Sequence, residues 1–144
     1  MHIVIVTHGE LANGLVDSVR LIMGEQENIW TFTLTHEMSI EDFGQRLQNQ
    51  ILSLCENDPV LVFTDLLLAS PYNQAITCYK HLSDTNRLRV LTGVSLPMVL
   101  EAASLRLGDD SLENIAKSVT QVGKDGITDF LVSLEEKQID INAL

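Results

Sequence analysis

Basic residues are scarce: nine Lys+Arg stand against twenty Asp+Glu, a formal net charge of −11 over 144 residues. Phosphate-rich partners want basic patches, so neither nucleic acid nor an anionic membrane surface is an expected partner. The acids are scattered and read as a solvated surface. Cysteine is nearly absent as well. Cys55 and Cys78 are the only two, both fall in apolar helical patterns, and no CxxC pair exists. That excludes a disulfide framework and predicts reduced core thiols. No run approaches the ~18 apolar residues needed to span a bilayer. The first residues lack the basic region and apolar core of a signal peptide, so the expectation is a cytoplasmic protein without direct membrane insertion. GxGxxG and GxxxxGKS/T are missing, which removes the dinucleotide and P-loop readings. No two histidines have metal-ligand spacing, so neither metal nor cofactor is expected.

What is present is an alternation of strand-like and helix-like segments. "HIVIVT" (2–7) is β-branched and almost wholly apolar, as a strand buried on both faces should be. "LANGLVDSVRLIM" (11–23) puts Leu11, Leu15, Val19 and Ile22 on one helical stripe, with Gly24 as its stop. Strands are predicted over 28–34, 58–65 and 87–93. Helices are predicted over 39–55, where Ser39 and Asp42 have capping-box spacing, and over 70–82, with Ser70 as N-cap and Pro71 at the first helical position. Two more are predicted over 95–107, opened by Ser95 and Pro97, and over 111–126. "ITDFLVSL" (127–134) reads as a short last strand and residues 135–144 as a polar tail. At this length the chain is one domain, here 1–134. Strand–helix alternation implies parallel strands joined by right-handed crossovers, hence a doubly wound α/β sheet of four parallel strands covered on both faces.

In such sheets chemistry gathers at the carboxyl ends of the strands. The first strand ends in Thr7-His8-Gly9-Glu10, the third in Thr64-Asp65 before Leu66-Leu67-Leu68-Ala69-Ser70, and the fourth in Thr92-Gly93-Val94-Ser95. If strands one and three are neighbours, His8 and Asp65 share one rim. An aspartate bound to one imidazole nitrogen fixes the tautomer and leaves the other as a free lone pair, an oriented nucleophile. The helix start after Ser70 would offer N–H groups to an anion. A phosphoryl-accepting histidine needs little more, because phosphoryl transfer depends on positioning and charge stabilisation. Blander readings stand beside this one. His8 could be an ordinary hydrogen-bonded strand end, Asp65 a turn cap, Ser70 a helix cap, and Tyr72 and Asn73 plain first-turn residues. His2, His36 and His81 read as surface residues. A response-regulator-like module also carries an aspartate after its third strand. It needs an acidic pair after the first strand to hold magnesium, and this strand ends in Thr7-His8.

Five blocks, "IVIVTHGELANG", "LIMGEQENI", "VFTDLLLASPYNQA", "LTGVSLPMVLEA" and "VGKDGI", fall in the order found in one family. From about residue 2 to residue 134 the chain resembles the enzyme IIA component of the mannose class of the phosphoenolpyruvate-dependent sugar phosphotransferase system. The resemblance implies that His8 is the phosphorylated residue, that Asp65 orients its imidazole and that Ser70 meets the phosphoryl group. It implies a transferase that takes phosphoryl from the phosphocarrier protein HPr and passes it to a IIB component, meeting any membrane IIC/IID complex through IIB. It also implies a homodimer that exchanges a last strand, for which "ITDFLVSL" is the candidate. Two alternatives stay open within the resemblance: a regulatory relative with impaired transfer, and a subunit feeding a dihydroxyacetone kinase. The latter usually carries further domains, for which this chain is too short. One departure is plain. The family writes D-x-x-G-G-S/T-P-F/Y, and here the two glycines are Leu68 and Ala69. A positive φ at either costs about 1–2 kcal/mol. This bears on the backbone part of the anion site and leaves His8, Asp65 and Ser70 in place.

Overall fold

The structure, a computed structural model, describes residues 1–137. The rest of the tail read from the sequence lies outside the described residues. Four strands run β1 (His2–His8), β2 (Ile29–Leu34), β3 (Val60–Thr64) and β4 (Leu88–Leu91). They form one parallel sheet in the order β2-β1-β3-β4. The helices are α1 (Leu11–Met23), α2 (Ile40–Asn57), α3 (Ser70–Ile76), α4 (Leu96–Leu105), α5 (Leu112–Asp125) and α6 (Phe130–Lys137). The α/β reading from strand–helix alternation therefore holds.

The near-continuous apolar run of β1 has its explanation in the two cores. Ile3 and Ile5, with Leu61 and Phe63 of β3, face one layer built from Ala12, Leu15 and Val19 of α1, Val99 and Ala102 of α4, and Ile115 and Val119 of α5. Val4 and Val6, with Val60 and Val62, face the other layer, built from Phe43, Leu47 and Ile51 of α2, Ala75 of α3 and Cys78. Successive strand side chains point to opposite faces, so a strand covered on both sides must be apolar at every position. Each such side chain contributes about 1.5–3 kcal/mol on burial. Both cysteines are buried free thiols.

Several local expectations need correction. Leu11 and Ile22 are exposed, and the buried stripe of α1 runs through Ala12, Leu15 and Val19 instead. Ser70 is not a cap. Ala69 holds the cap position with extended backbone (φ −81°, ψ 172°), Ser70 is the first helical residue and Pro71 the second. After Ile76 the α-helix tightens into a 3₁₀ turn, Thr77–Lys80, so the segment predicted as one helix is two. Ser95 does sit at the cap of α4, but its hydroxyl is buried without a hydrogen-bond partner. His2 is not a surface residue. Its side chain is 14% exposed, its Nε2 lies 3.4 Å from Asp58 Oδ2, and its Nδ1 takes the Trp30 indole N–H at 3.3 Å.

The largest correction concerns "ITDFLVSL". Its residues from Phe130 onward are helical, within α6. The reason is Asp129, whose carboxylate accepts from the N–H groups of Leu131 (3.0 Å) and Val132 (3.3 Å). A side-chain acceptor at that position starts a helix. Ile127 and Val132 suggested a strand, and the cap outweighs them.

Candidate functional site

The strand order puts β1 and β3 side by side at the centre of the sheet, in register Val6↔Thr64. The connection after β1 runs to β2 at one edge and the connection after β3 runs to β4 at the other, so the carboxyl ends of β1 and β3 flank the crevice where such folds hold ligands. His8 is the last residue of β1 and Asp65 directly follows β3.

Thr7 and Gly9 set the path of the chain out of β1. The hydroxyl of buried Thr7 accepts the N–H of Ala12 at 2.9 Å, capping α1 from five residues back. Glu10, at the cap position itself, makes no such bond. Gly9 has φ +54°, a left-handed turn that a β-carbon would strain. Its N–H donates to Leu34 O at 2.9 Å, which ties the turn to β2. His8 is thereby held on the rim, its side chain 47% exposed.

Asp65 grips His8 twice. Oδ2 accepts the backbone N–H of His8 at 2.8 Å and lies 2.8 Å from the ring Nδ1. Oδ1 accepts the N–H of Leu66 at 2.8 Å. Burial pushes the Asp65 carboxyl up. The two N–H bonds from His8, the charge on its ring and the Leu66 N–H together hold it below the ordinary aspartate value. An ionised carboxylate can only accept, so in the neutral ring Nδ1 carries the proton and Nε2 carries the lone pair. The half-exposed imidazole is thus held in one orientation, with Nε2 facing away from Asp65.

The loop after Asp65 keeps a left-handed residue where the resemblance puts a glycine. Leu68 has φ +64°, whereas Ala69 is extended. Only one of the two non-glycine positions therefore bears the strain, about 1–2 kcal/mol. Asn73 offsets part of it, because its side-chain amide donates to Leu68 O at 2.9 Å. Ala69 N–H donates back to Leu66 O at 3.3 Å. Asn73 is thus a brace for the loop, a role that its place in a first helical turn did not disclose. Leu66, Leu67 and Leu68 are all exposed beside the dyad.

Ser70 follows this loop at the start of α3, half-buried. No hydrogen bond joins it to His8 or Asp65 among the described residues. The structure brings His8 and Asp65 into contact and leaves Ser70 one loop away. No group of three or more metal-ligating side chains occurs among the described residues.

The family model for the "PTS system fructose IIA component" matches residues 2–120. The chain belongs to this family. It is an enzyme IIA component of the mannose class of the phosphotransferase system. Relatives support the same placement. The mannose-specific EIIAB component of Escherichia coli K12 is 28% identical over 125 residues, 87% of this chain but 38% of that protein. The chain thus spans well under half the length of that relative. The fructose-specific EIIA component of Bacillus subtilis is 27% identical over 121 residues, 83% of this chain and 81% of its own. Among solved structures, a phosphotransferase system component EIIA from Streptococcus agalactiae superposes with a TM-score of 0.80 at 28% identity, covering 91% of this chain and 98% of that one. A mannose/sorbose-specific IIA subunit from Enterococcus faecalis gives 0.78 at 27% identity, over 90% and 93%. Within the enzyme IIA family the work of the fold is phosphotransfer. The described part of this member contains no helix long and apolar enough to cross a membrane.

Proposed function

We propose that this enzyme IIA component is a phosphocarrier in which His8 Nε2 accepts a phosphoryl group from phospho-HPr and yields it to a histidine of a IIB component. The observation that carries this reading is the 2.8 Å contact between Asp65 Oδ2 and His8 Nδ1, on a ring that is itself half exposed. In the forward step the Nε2 lone pair attacks phosphorus in line and the bond to the donor imidazole breaks. The ring then carries cationic character, which the Asp65 carboxylate steadies. The second step runs the same exchange toward IIB. Ser70, at the head of α3, is the hydroxyl that would meet the phosphoryl oxygens. Neither step calls for a metal or a cofactor.

A homodimer fits the same molecule. The outer edge of β4 is unpaired among the described residues, and Ile127, Phe130, Leu131 and Val132, after α5, are exposed. An open strand edge and an apolar segment both invite a partner. Sedimentation velocity at micromolar concentration reports the state directly.

A second reading, a regulatory relative with impaired transfer, draws on Leu68, whose bulk and strain stand where the family has glycine. One experiment separates the two. The protein is incubated with phosphoenolpyruvate, enzyme I and HPr, and the phosphorylated site is found by mass spectrometry. Rapid labelling of His8 that is acid-labile and base-stable supports the carrier. No labelling, or labelling over hours, favours the regulatory reading.

A further inference from the structure

The end of β1 and the loop from β2 into α2 enclose a cavity of about 410 Å³ lined by His8, Gly9, Leu34, Thr35, His36 and Met38, among others. His8 and Leu34 are register partners, and the Gly9 N–H bond to Leu34 O fixes the two strand ends together. The following turn closes with Met38 N–H on Thr35 O at 3.2 Å. It carries His36 onto the wall that His8 shares.

A phosphoryl group on His8 would bring about two negative charges. Asp65 already stands behind the ring. Glu10 follows Gly9, Glu37 follows His36, and Glu41 and Asp42 follow Ile40, which also lines the cavity. Phosphoryl transfer needs donors or positive charge aimed at the moving oxygens. No lysine or arginine lines this cavity. Lys124 lines a different one, with Leu67, Tyr72 and Gly93 and without His8. Besides His8, His36 is the side chain on this wall that can become a cation.

We propose that His36 is a second phosphoryl-contacting residue, whose protonated ring donates a hydrogen bond to an oxygen of the phosphoryl group on His8. The inference rests on the phosphocarrier reading above. No bond to His36 forms or breaks; it supplies a proton-bearing donor and a charge. The surrounding carboxylates are partly engaged elsewhere, Glu10 by the Asn13 amide at 2.7 Å and Glu41 by the Ser39 hydroxyl at 3.0 Å. Glu37 and Asp42 are the remaining acids beside this loop. The contribution of His36 is greatest where its imidazole is charged and fades where it is neutral.

The test compares wild type with His36→Gln and His36→Arg, following transfer from phospho-HPr to His8. Each variant rate is divided by the wild-type rate at the same pH, so that pH effects common to both proteins cancel. His36→Gln is expected to be about threefold to tenfold slow near pH 6 and close to wild type near pH 8. His36→Arg, with a permanent charge, is expected to match wild type near pH 6 and to exceed it near pH 8. His36 is exposed, so folding is not at stake, and circular dichroism checks this. A His36→Gln ratio that does not change with pH, in a wild type that labels well, overturns the proposal alone. A wild type that never labels overturns the carrier reading, and this proposal with it.

Discussion

Asp65 Oδ2 lies 2.8 Å from both the backbone nitrogen and the ring Nδ1 of His8, so one oxygen fixes the strand end and the imidazole together. The double contact spans the boundary between β1 and β3 and joins residues 57 positions apart in the chain. It is the local reason that the imidazole presents one defined nitrogen to solvent.

Replacing Asp65 with asparagine tests that grip. The amide can still accept from the backbone, but it carries no charge to match the ring. Phosphoryl uptake at His8 should slow by about 10–100-fold, the usual effect of losing an orienting partner. The circular dichroism spectrum should not change, because the site is on the rim. Wild-type rates in Asp65→Asn would mean that the carboxylate does not steer the ring.

The same carboxylate makes a prediction about acid. Its pKa is lowered in the folded state from an ordinary 3.8. A depressed carboxyl contributes stability that is fully present above its unfolded pKa and is lost as pH falls through the folded one. Urea midpoints of wild type and Asp65→Asn should therefore differ most above the ordinary aspartate range, at about pH 5, and converge as pH falls below it. A gap that is constant across that range would show that the charge on Asp65 adds nothing to folding.

Leu68→Gly should stabilise the protein. The substitution relieves a left-handed leucine worth about 1–2 kcal/mol and gives back roughly 0.5–1 kcal/mol in chain entropy. Leu68 is 72% exposed, so little burial is lost. A net gain of about 0.5–1 kcal/mol, read as a rise of roughly 2–4 °C in Tm, is expected. A lower Tm would mean that the leucine packs against something that its exposure does not reveal. Transfer kinetics of Leu68→Gly combined with Ala69→Gly report on function separately, and unchanged rates would remove the loop from the mechanism.

Thr7→Val keeps the shape of a fully buried side chain and deletes the acceptor for the Ala12 N–H. Loss of a helix cap costs about 1–2 kcal/mol, and denaturant unfolding should show it. Because α1 begins where the His8 turn ends, hydrogen exchange at Ala12 should rise as well. Exchange that stays slow would show that another group takes over the cap.

The fold was legible because its signals are periodic and redundant. A strand buried on both faces is apolar throughout, as 2–7 is, and helices sheltering it show one apolar stripe, as 39–55 does. The dyad was legible because chemistry in such sheets gathers at strand ends, and the sheet order then sets strand ends one and three side by side. What stayed hidden depends on single contacts. Asp129 caps a helix where β-branched neighbours suggested a strand. Thr7 reaches Ala12 from within a strand, and no capping pattern describes that. Leu68 turns left-handed without glycine, which propensity alone argues against. His36 is the surface residue the sequence suggests, and only the folded chain shows that it lines a cavity with His8.

The central claim is that Asp65 holds Nδ1 of His8 and leaves Nε2 to carry phosphate. Nitrogen-15 NMR of the histidine-labelled protein, recorded after incubation with phosphoenolpyruvate, enzyme I and HPr, identifies the modified nitrogen directly. The account predicts phosphorylation at Nε2 of His8, with Nδ1 still protonated. Phosphate on Nδ1 of His8, or on any other residue, would contradict it.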